Sequence, residues 1–262
     1  MRKYWHLLKS QMQIETAYMA WYWADTISGI LRLFIMYFFW AAVFQNRQSV
    51  GELTFQSMIT YVIIAMTLEA FVAGVGKTIA QDIKGGNIAL ELLKPYDYLT
   101  KLIWMDFGSK INGFVRSALP ILLLSFLFLD ITKPASLLAG CFFIPSMVAG
   151  ILIGTQIDLI IGVLAFWTVN IWGLGVLREA IVKFFSGALI PLTLFPGWFQ
   201  EVSQWLPFQS MIYVPVGIYT GQISGGHILT SFAIQCVWLL AIYIIVRVMW
   251  QQAVKRITVF GG

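Results

Sequence analysis

The sequence predicts an all-α membrane protein with six transmembrane helices, an N-terminal in-plane helix and a re-entrant outer helical hairpin between spans five and six. Three observations lead there. Residues of the AVILMFWYC set make up 59% of the 262 and charged residues only 11%, with mean hydropathy +0.80, whereas a soluble domain carries about 25% charge. Apolar runs close to the ~20 residues that a bilayer requires recur along the chain. One long aromatic segment is interrupted by prolines too often to span. The same composition excludes intrinsic disorder, and two cysteines, Cys141 and Cys236, exclude a secreted disulfide framework. The net charge of +5 does not indicate nucleic acid, because the basic residues stand singly between apolar runs.

Residues 1–25 are too polar to span. Tyr4, Trp5, Leu8, Met12, Met19, Trp21, Tyr22 and Trp23 alternate there with Arg2, Lys3, Lys9, Glu15 and Asp25. That pattern predicts a helix lying in the headgroup plane. The spans then read Thr26–Phe44 with Arg32 inside it, Phe55–Gly76 with Glu69 inside it, Ile111–Leu129, Leu137–Val169 through Pro145, Ile181–Phe195, and Ile228–Trp250.

Six spans put both ends on one side of the membrane. If that side is cytoplasmic, the outer loops hold only Arg47 and Lys133. The inner segments hold Arg2, Lys3, Lys9, Lys77, Lys84, Lys94, Lys101, Lys110, Arg116, Arg178, Lys183, Arg247, Lys255 and Arg256. The positive-inside rule therefore makes both termini cytoplasmic. The late start of the first apolar run, with no small-residue cleavage site after it, argues against a cleaved signal peptide.

Between the second and third spans, residues 77–110 form the one sizeable inner loop. Gly85-Gly86 stops a helix, and Asn87 starts and caps a new short one through Leu93, which ends before Pro95. Ile83, Ile88 and Leu92 fall at helical spacing, so this short helix is expected to carry an apolar stripe toward the cytosol. The outer segment Pro191–Gly221 contains Pro191, Pro196, Pro207 and Pro215, many aromatic residues and a single charge, Glu201. Interrupted backbone at membrane depth must be buried in protein or line a cavity. Two re-entrant helices broken near Pro207 satisfy that constraint.

The chain lacks recognisable catalytic chemistry. Gly74-Val75-Gly76-Lys77-Thr78 imitates the end of a phosphate-binding loop, but Phe71 occupies the first glycine position and no strand precedes it. His6 and His227 are isolated on opposite sides, so no metal site is expected, and two buried thiols are expected rather than a disulfide. Glu69 lies 14 residues from Phe55, about 21 Å below the outer end of its span. Arg32 reaches similar depth on the preceding antiparallel span. Ionisable groups at such depth are costly unless paired or hydrated, so the two are expected either to pair or to line a path. Gly150 and Gly154 make a small-xxx-small face for helix packing.

Several motifs in order along the chain resemble the permease subunits of type-2 ABC exporters, in their bacterial subfamily. They are Asp82-Ile83-Lys84-x-Gly86, Leu92-Leu93-Lys94-Pro95, Phe185-Ser186-Gly187-x-x-x-Pro191 followed by Pro196 and Pro207, and Ala253-x-Lys255-Arg256-Ile257-x-Val259-x-Gly261-Gly262. The resemblance implies a single permease domain in the bacterial plasma (inner) membrane, half of a translocation path completed by an identical or related second permease. It implies separate ATPase subunits that bind ATP and magnesium, with no cofactor in this chain. Gly86, Asn87, Ile88, Leu92, Leu93, Lys94 and Pro95 would couple to the ATPase, and the hairpin 196–220, with Pro196, Trp198, Trp205 and Pro207, would form an outer gate. An ion-coupled secondary transporter or channel using Arg32 and Glu69 is the alternative.

Overall fold

The structure is a computed structural model that describes residues 2–16, 19–51, 53–168 and 171–256. The side chains of Met19, Trp21 and Tyr22, Val169, and the C-terminal motif from Ile257 to Gly262 lie outside the described residues. The described chain is all-helical apart from one two-stranded hairpin. In order, it runs α1 (Arg2–Thr16), α2 (Met19–Phe44), β1 (Ser49–Val50), β2 (Leu53–Thr54), α3 (Phe55–Val72), α4 (Gly76–Lys84) and α5 (Asn87–Leu92). There follow α6 (Tyr98–Gly113), a π-turn over Phe114–Ala118, α7 (Leu119–Phe128), α8 (Leu137–Val163), α9 (Trp172–Phe185), α10 (Gly197–Gln204), α11 (Tyr213–Thr220) and α12 (Gly226–Val254).

Five helical stretches among the described residues are long and apolar enough to cross a membrane: Trp23–Phe44, Phe55–Lys84, Tyr98–Phe128, Leu137–Phe166 and Gly226–Val254. Polar N-caps start three of these stretches. Thr54 accepts from the amide of Ser57 at 3.3 Å, Asp97 from Thr100 at 2.8 Å, and Ser136 from Ala139 at 3.0 Å; each such cap contributes about 1 kcal/mol. The fifth apolar run is not a continuous helix. α9 ends at Phe185, and Ser186–Phe195 continues as turns and a short 3-10 segment. Gly187 in this break takes φ 77°, and its carbonyl accepts from the Tyr61 hydroxyl at 2.7 Å.

The expected inner loop is also shorter than 77–110. α4 continues the second span to Lys84 and the third span starts at Tyr98, so the connection contracts to Gly85–Asp97. Lys77, Asp82, Lys101 and Lys110 end the apolar runs without ending the helices. Helices extend past an apolar run wherever packing and solvated charge support them.

α8 is the centre of the bundle, touching α3, α4, α11 and α12. Its small residues let backbones approach: a Cβ on Gly154 would stand 2.6 Å from the Val72 carbonyl oxygen, and one on Gly150 only 2.5 Å from that of Met211. The phosphate-loop-like Gly76 serves the same purpose, since a Cβ there would stand 2.1 Å from the Asp158 carbonyl oxygen. The main core gathers Leu68, Val72, Ile79, Leu102, Ile153, Leu159, Ile212 and Val246. A second cluster joins α2 and α3 through Leu33, Trp40, Ile59 and Val62. Cys141 and Cys236 are free and exposed, which corrects the expectation of buried thiols.

Candidate functional site

Three features concentrate the polar and irregular chemistry of the described residues: the connection at the basic end of the bundle, a polar cleft beside it, and the broken segment from α10 to α11.

The basic-end connection begins with a reversal at Gly86, whose φ of 71° is open to glycine at little cost. Gly86, not Asn87, is the N-cap of α5, and it makes no side-chain cap. α5 then faces differently from the stripe expected of it. Ile88 is only 5% exposed and belongs to the main core, with Ile83 packed against that core. The exposed apolar tip is instead Leu90 at 63% and Leu93 at 83%, with Leu92 at 37%. Gly86, Asn87, Lys94 and Pro95 are exposed around it.

A set of charged bonds ties this tip to its neighbours. Glu91 accepts from Lys94 at 2.6 Å, Lys101 at 2.6 Å and the Tyr96 hydroxyl at 3.0 Å. Desolvation raises the Glu91 carboxyl, but the bonds from Lys101, Lys94 and Tyr96 outweigh it and pull it down to about 2. Asp97 accepts from Arg247 of α12 at 2.7 Å. Partial burial pushes the Asp97 carboxyl up, while bonds from Arg247 and Thr100 carry it below the ordinary value. Tyr98 donates to Asp82 at 2.6 Å and stacks on Trp250 with ring centroids 5.2 Å apart. Lys3 of α1 donates to the Pro95 carbonyl, and the Tyr4 hydroxyl accepts from the Asp97 amide at 3.3 Å. Helices α1, α4, α6 and α12 thus all grip one short exposed tip.

The cleft, of about 930 Å³, lies between α1, α2, α3 and α6. Arg32 lines it and forms an ion pair with Glu69. The guanidinium side chain stays 42% exposed and the carboxylate 13%, so the pair is half-open to the cleft. Beside it, Lys110 holds Asp106 at 2.5 Å, and Thr155 of α8 donates to the same carboxylate at 2.7 Å. Asp158 binds the Gly74 amide at 2.6 Å and pairs with Arg178 at 3.0 Å, while Arg178 also donates to the Val72 carbonyl. Sequence reasoning used Lys110 and Arg178 only for orientation and missed these pairs; the i,i+4 spacing of Asp106 and Lys110 was the available signal.

α1 docks on α6. Leu8 is buried, and a Cβ on Gly108 would stand 2.7 Å from the Leu8 carbonyl oxygen. Glu15 accepts from Gln11 at 2.9 Å and Asn112 at 3.2 Å, and from Ser109.

In the broken segment, Pro196 caps α10, and a 3-10 turn beginning at Pro207 separates α10 from α11. Trp198 and Trp205 are 67% and 83% exposed. The second half is buried deeply: Met211, Ile212, Val216 and Ile218 are sealed, and Gln235 of α12 donates to the carbonyls of Ser210 at 2.7 Å and Ser146 at 3.2 Å. The segment is therefore anchored through α11 and exposed at its tryptophans. Among the described residues, no group of three His, Cys, Asp or Glu is placed to hold a metal.

Comparison with known proteins gives one family. The model of the ABC-2 family transporter protein matches residues 30–261. No curated protein matches the chain.

Proposed function

The chain belongs to the ABC-2 family of transporter proteins, as a membrane permease subunit of an ABC transporter, and from that premise we propose that it forms half of the translocation path of an exporter. A second copy or a related permease supplies the other half. Separate ATPase subunits bind ATP and magnesium and drive the cycle. In this reading the protein sits in a bacterial inner membrane with both termini cytoplasmic, in line with the basic residues at one end of the helices. α1 lies in the inner headgroup plane. A sixth crossing is made by α9 and the broken segment after it, and α10–α11 re-enter as a gate facing outward, with Pro196 and Pro207 setting its breaks and Trp198 and Trp205 at its open edge.

The observation that carries the coupling role is the exposed Leu90–Leu93 tip on a charge-clasped mount. An apolar tip facing water is stable only at a modest cost and fits a groove in a soluble partner. Gly86 and Asn87 set the reversal, Ile88 anchors the helix to the core, and Leu92, Leu93, Lys94 and Pro95 make the contact. Co-expression with the ATPase tests this. Leu93→Asp together with Leu90→Asp is expected to leave the permease folded in the membrane while the ATPase no longer co-purifies. Normal complex formation by that variant contradicts the coupling role.

A further inference from the structure

The second span is broken where its sequence does not force a break. Between α3 and α4, Ala73 takes extended backbone with ψ 148°, and Val75, the N-cap of α4, makes no side-chain cap. No proline lies nearer than Pro95, so no ring enforces the interruption. Gly74 and Gly76 weaken a helix here without forbidding one. Two side chains from other helices hold the break instead. In a continuous helix the Val72 carbonyl would accept from the Gly76 amide, four residues on, and the Gly74 amide would donate to the Ala70 carbonyl. In the structure, Arg178 of α9 donates to the Val72 carbonyl at 2.7 Å, and Asp158 of α8 accepts from the Gly74 amide at 2.6 Å. The two side chains pair with each other at 3.0 Å and are only 10% and 16% exposed. One ion pair thus takes up both backbone groups that the helix would otherwise use.

We propose that the Asp158–Arg178 pair is a catch and that the second span has two states, broken at residues 73–75 with the catch engaged and continuously helical with the catch released. A buried peptide group without a partner is costly in apolar surroundings. When the pair lets go, the helical bond is the nearest replacement for each freed group. The catch sits between the cleft and the basic-end tip. Ala73, Gly74 and Val75 line the cleft that Arg32 and Asp106 also line. α4 leads from the break toward the Leu90–Leu93 tip and is tied there by Tyr98 on Asp82. α8, which carries Asp158, meets the span backbone to backbone on both sides of the break, at Gly154 on Val72 and at Gly162 on Gly76. Closing the break therefore changes the angle between the cleft-lining half of the span and the tip-bearing half. The link to transport rests on the permease reading above; the two-state break does not.

The test is amide hydrogen exchange at residues 74–77, read by mass spectrometry on the full chain in phosphatidylcholine nanodiscs. No ATPase is present, so failure here is distinct from failure of the coupling experiment. In the broken state the Gly76 and Lys77 amides open α4 and have no acceptor within it. Replacing the pair by Asp158→Leu with Arg178→Leu leaves no unpaired charge behind. That double variant is expected to slow exchange at least about tenfold as the helix closes. Adding Val75→Pro, which an interrupted backbone accepts and a helix interior does not, is expected to restore the fast rate. Arg178→Lys keeps a charge beside Asp158 but loses the fork that also reaches Val72, and is expected to slow exchange about threefold. It decides the matter where the double variant is not recovered folded. A pair that only stabilises the fold predicts the opposite sign, because loosening the break speeds exchange. Faster or unchanged exchange in the double variant, or in Arg178→Lys where that variant alone folds, overturns the catch. Slowing that persists with Val75→Pro overturns it as well.

Discussion

At the scale of single residues, the Arg32–Glu69 pair was legible because depth is arithmetic: two antiparallel helices with charges at matching distance from their ends bring those charges together. The partial exposure of Arg32 changes the expected energetics. Glu69→Gln leaves a guanidinium open to the cleft and is expected to cost about 1 kcal/mol. Arg32→Met strands a mostly buried carboxylate and should cost more, up to roughly 3 kcal/mol. Thermal denaturation of both and of the double variant is expected to show a double-mutant loss well below the sum, and additive losses would contradict a pair. The Asp106–Lys110–Thr155 group was not legible in the same way. Nothing in the sequence says that the far wall is Thr155 of α8, a contact made across 45 positions. With Asp106 only 5% exposed, Lys110→Met is expected to destabilise by about 3 kcal/mol, measured by the same denaturation.

At the scale of elements, the short helix after Gly85-Gly86 was readable from its punctuation, and its direction was not. Periodicity over six residues fixes which residues share a face but not which face the core takes. Here the core took Ile88 and left Leu90 and Leu93 outside. Ile88→Asp is therefore expected to lose folded protein, at about 3–5 kcal/mol for a buried unpaired charge, rather than to lose only a partner; size-exclusion recovery of the variant checks this. The clasp around Glu91 has a definite pH signature. Its carboxyl is held at about 2 when folded against an ordinary 4.5. Its contribution to the ordered connection is thus complete above pH 4.5 and lost as pH falls toward 2. Hydrogen exchange across residues 85–101, corrected for intrinsic rates, is expected to lose protection over that window, and Glu91→Gln to reduce the pH dependence to the part that the Asp97–Arg247 pair contributes. Protection that is equally pH-dependent in Glu91→Gln would place the clasp elsewhere.

At the scale of the whole molecule, composition alone settled the membrane class, and the order of weak motifs pointed to the family that residues 30–261 match. The five long apolar stretches were legible because a bilayer imposes a length. The region from α9 to α11 was legible as broken but not in detail. Its breaks are stabilised by remote partners that a sequence window cannot hold: Tyr61 on Gly187, Gln235 on Ser210, and the Ser186 carbonyl on the Tyr213 amide at 2.8 Å. If α11 is the anchored half and α10 the open half of a gate, single cysteines at Met211 or Ile218 should resist membrane-impermeant thiol reagents while those at Trp198 and Trp205 react. Uniform labelling would make the segment an ordinary loop.

The coupling role turns most directly on what touches the basic-end tip. Leu93→Cys in the permease, with single cysteines placed around the membrane-facing groove of the co-expressed ATPase, is the measurement. Oxidative cross-linking between Leu93→Cys and the ATPase, with none from Trp205→Cys at the other end, is the predicted result. An ATPase that assembles with the permease yet never cross-links to Leu93→Cys, or cross-links equally to Trp205→Cys, would contradict it.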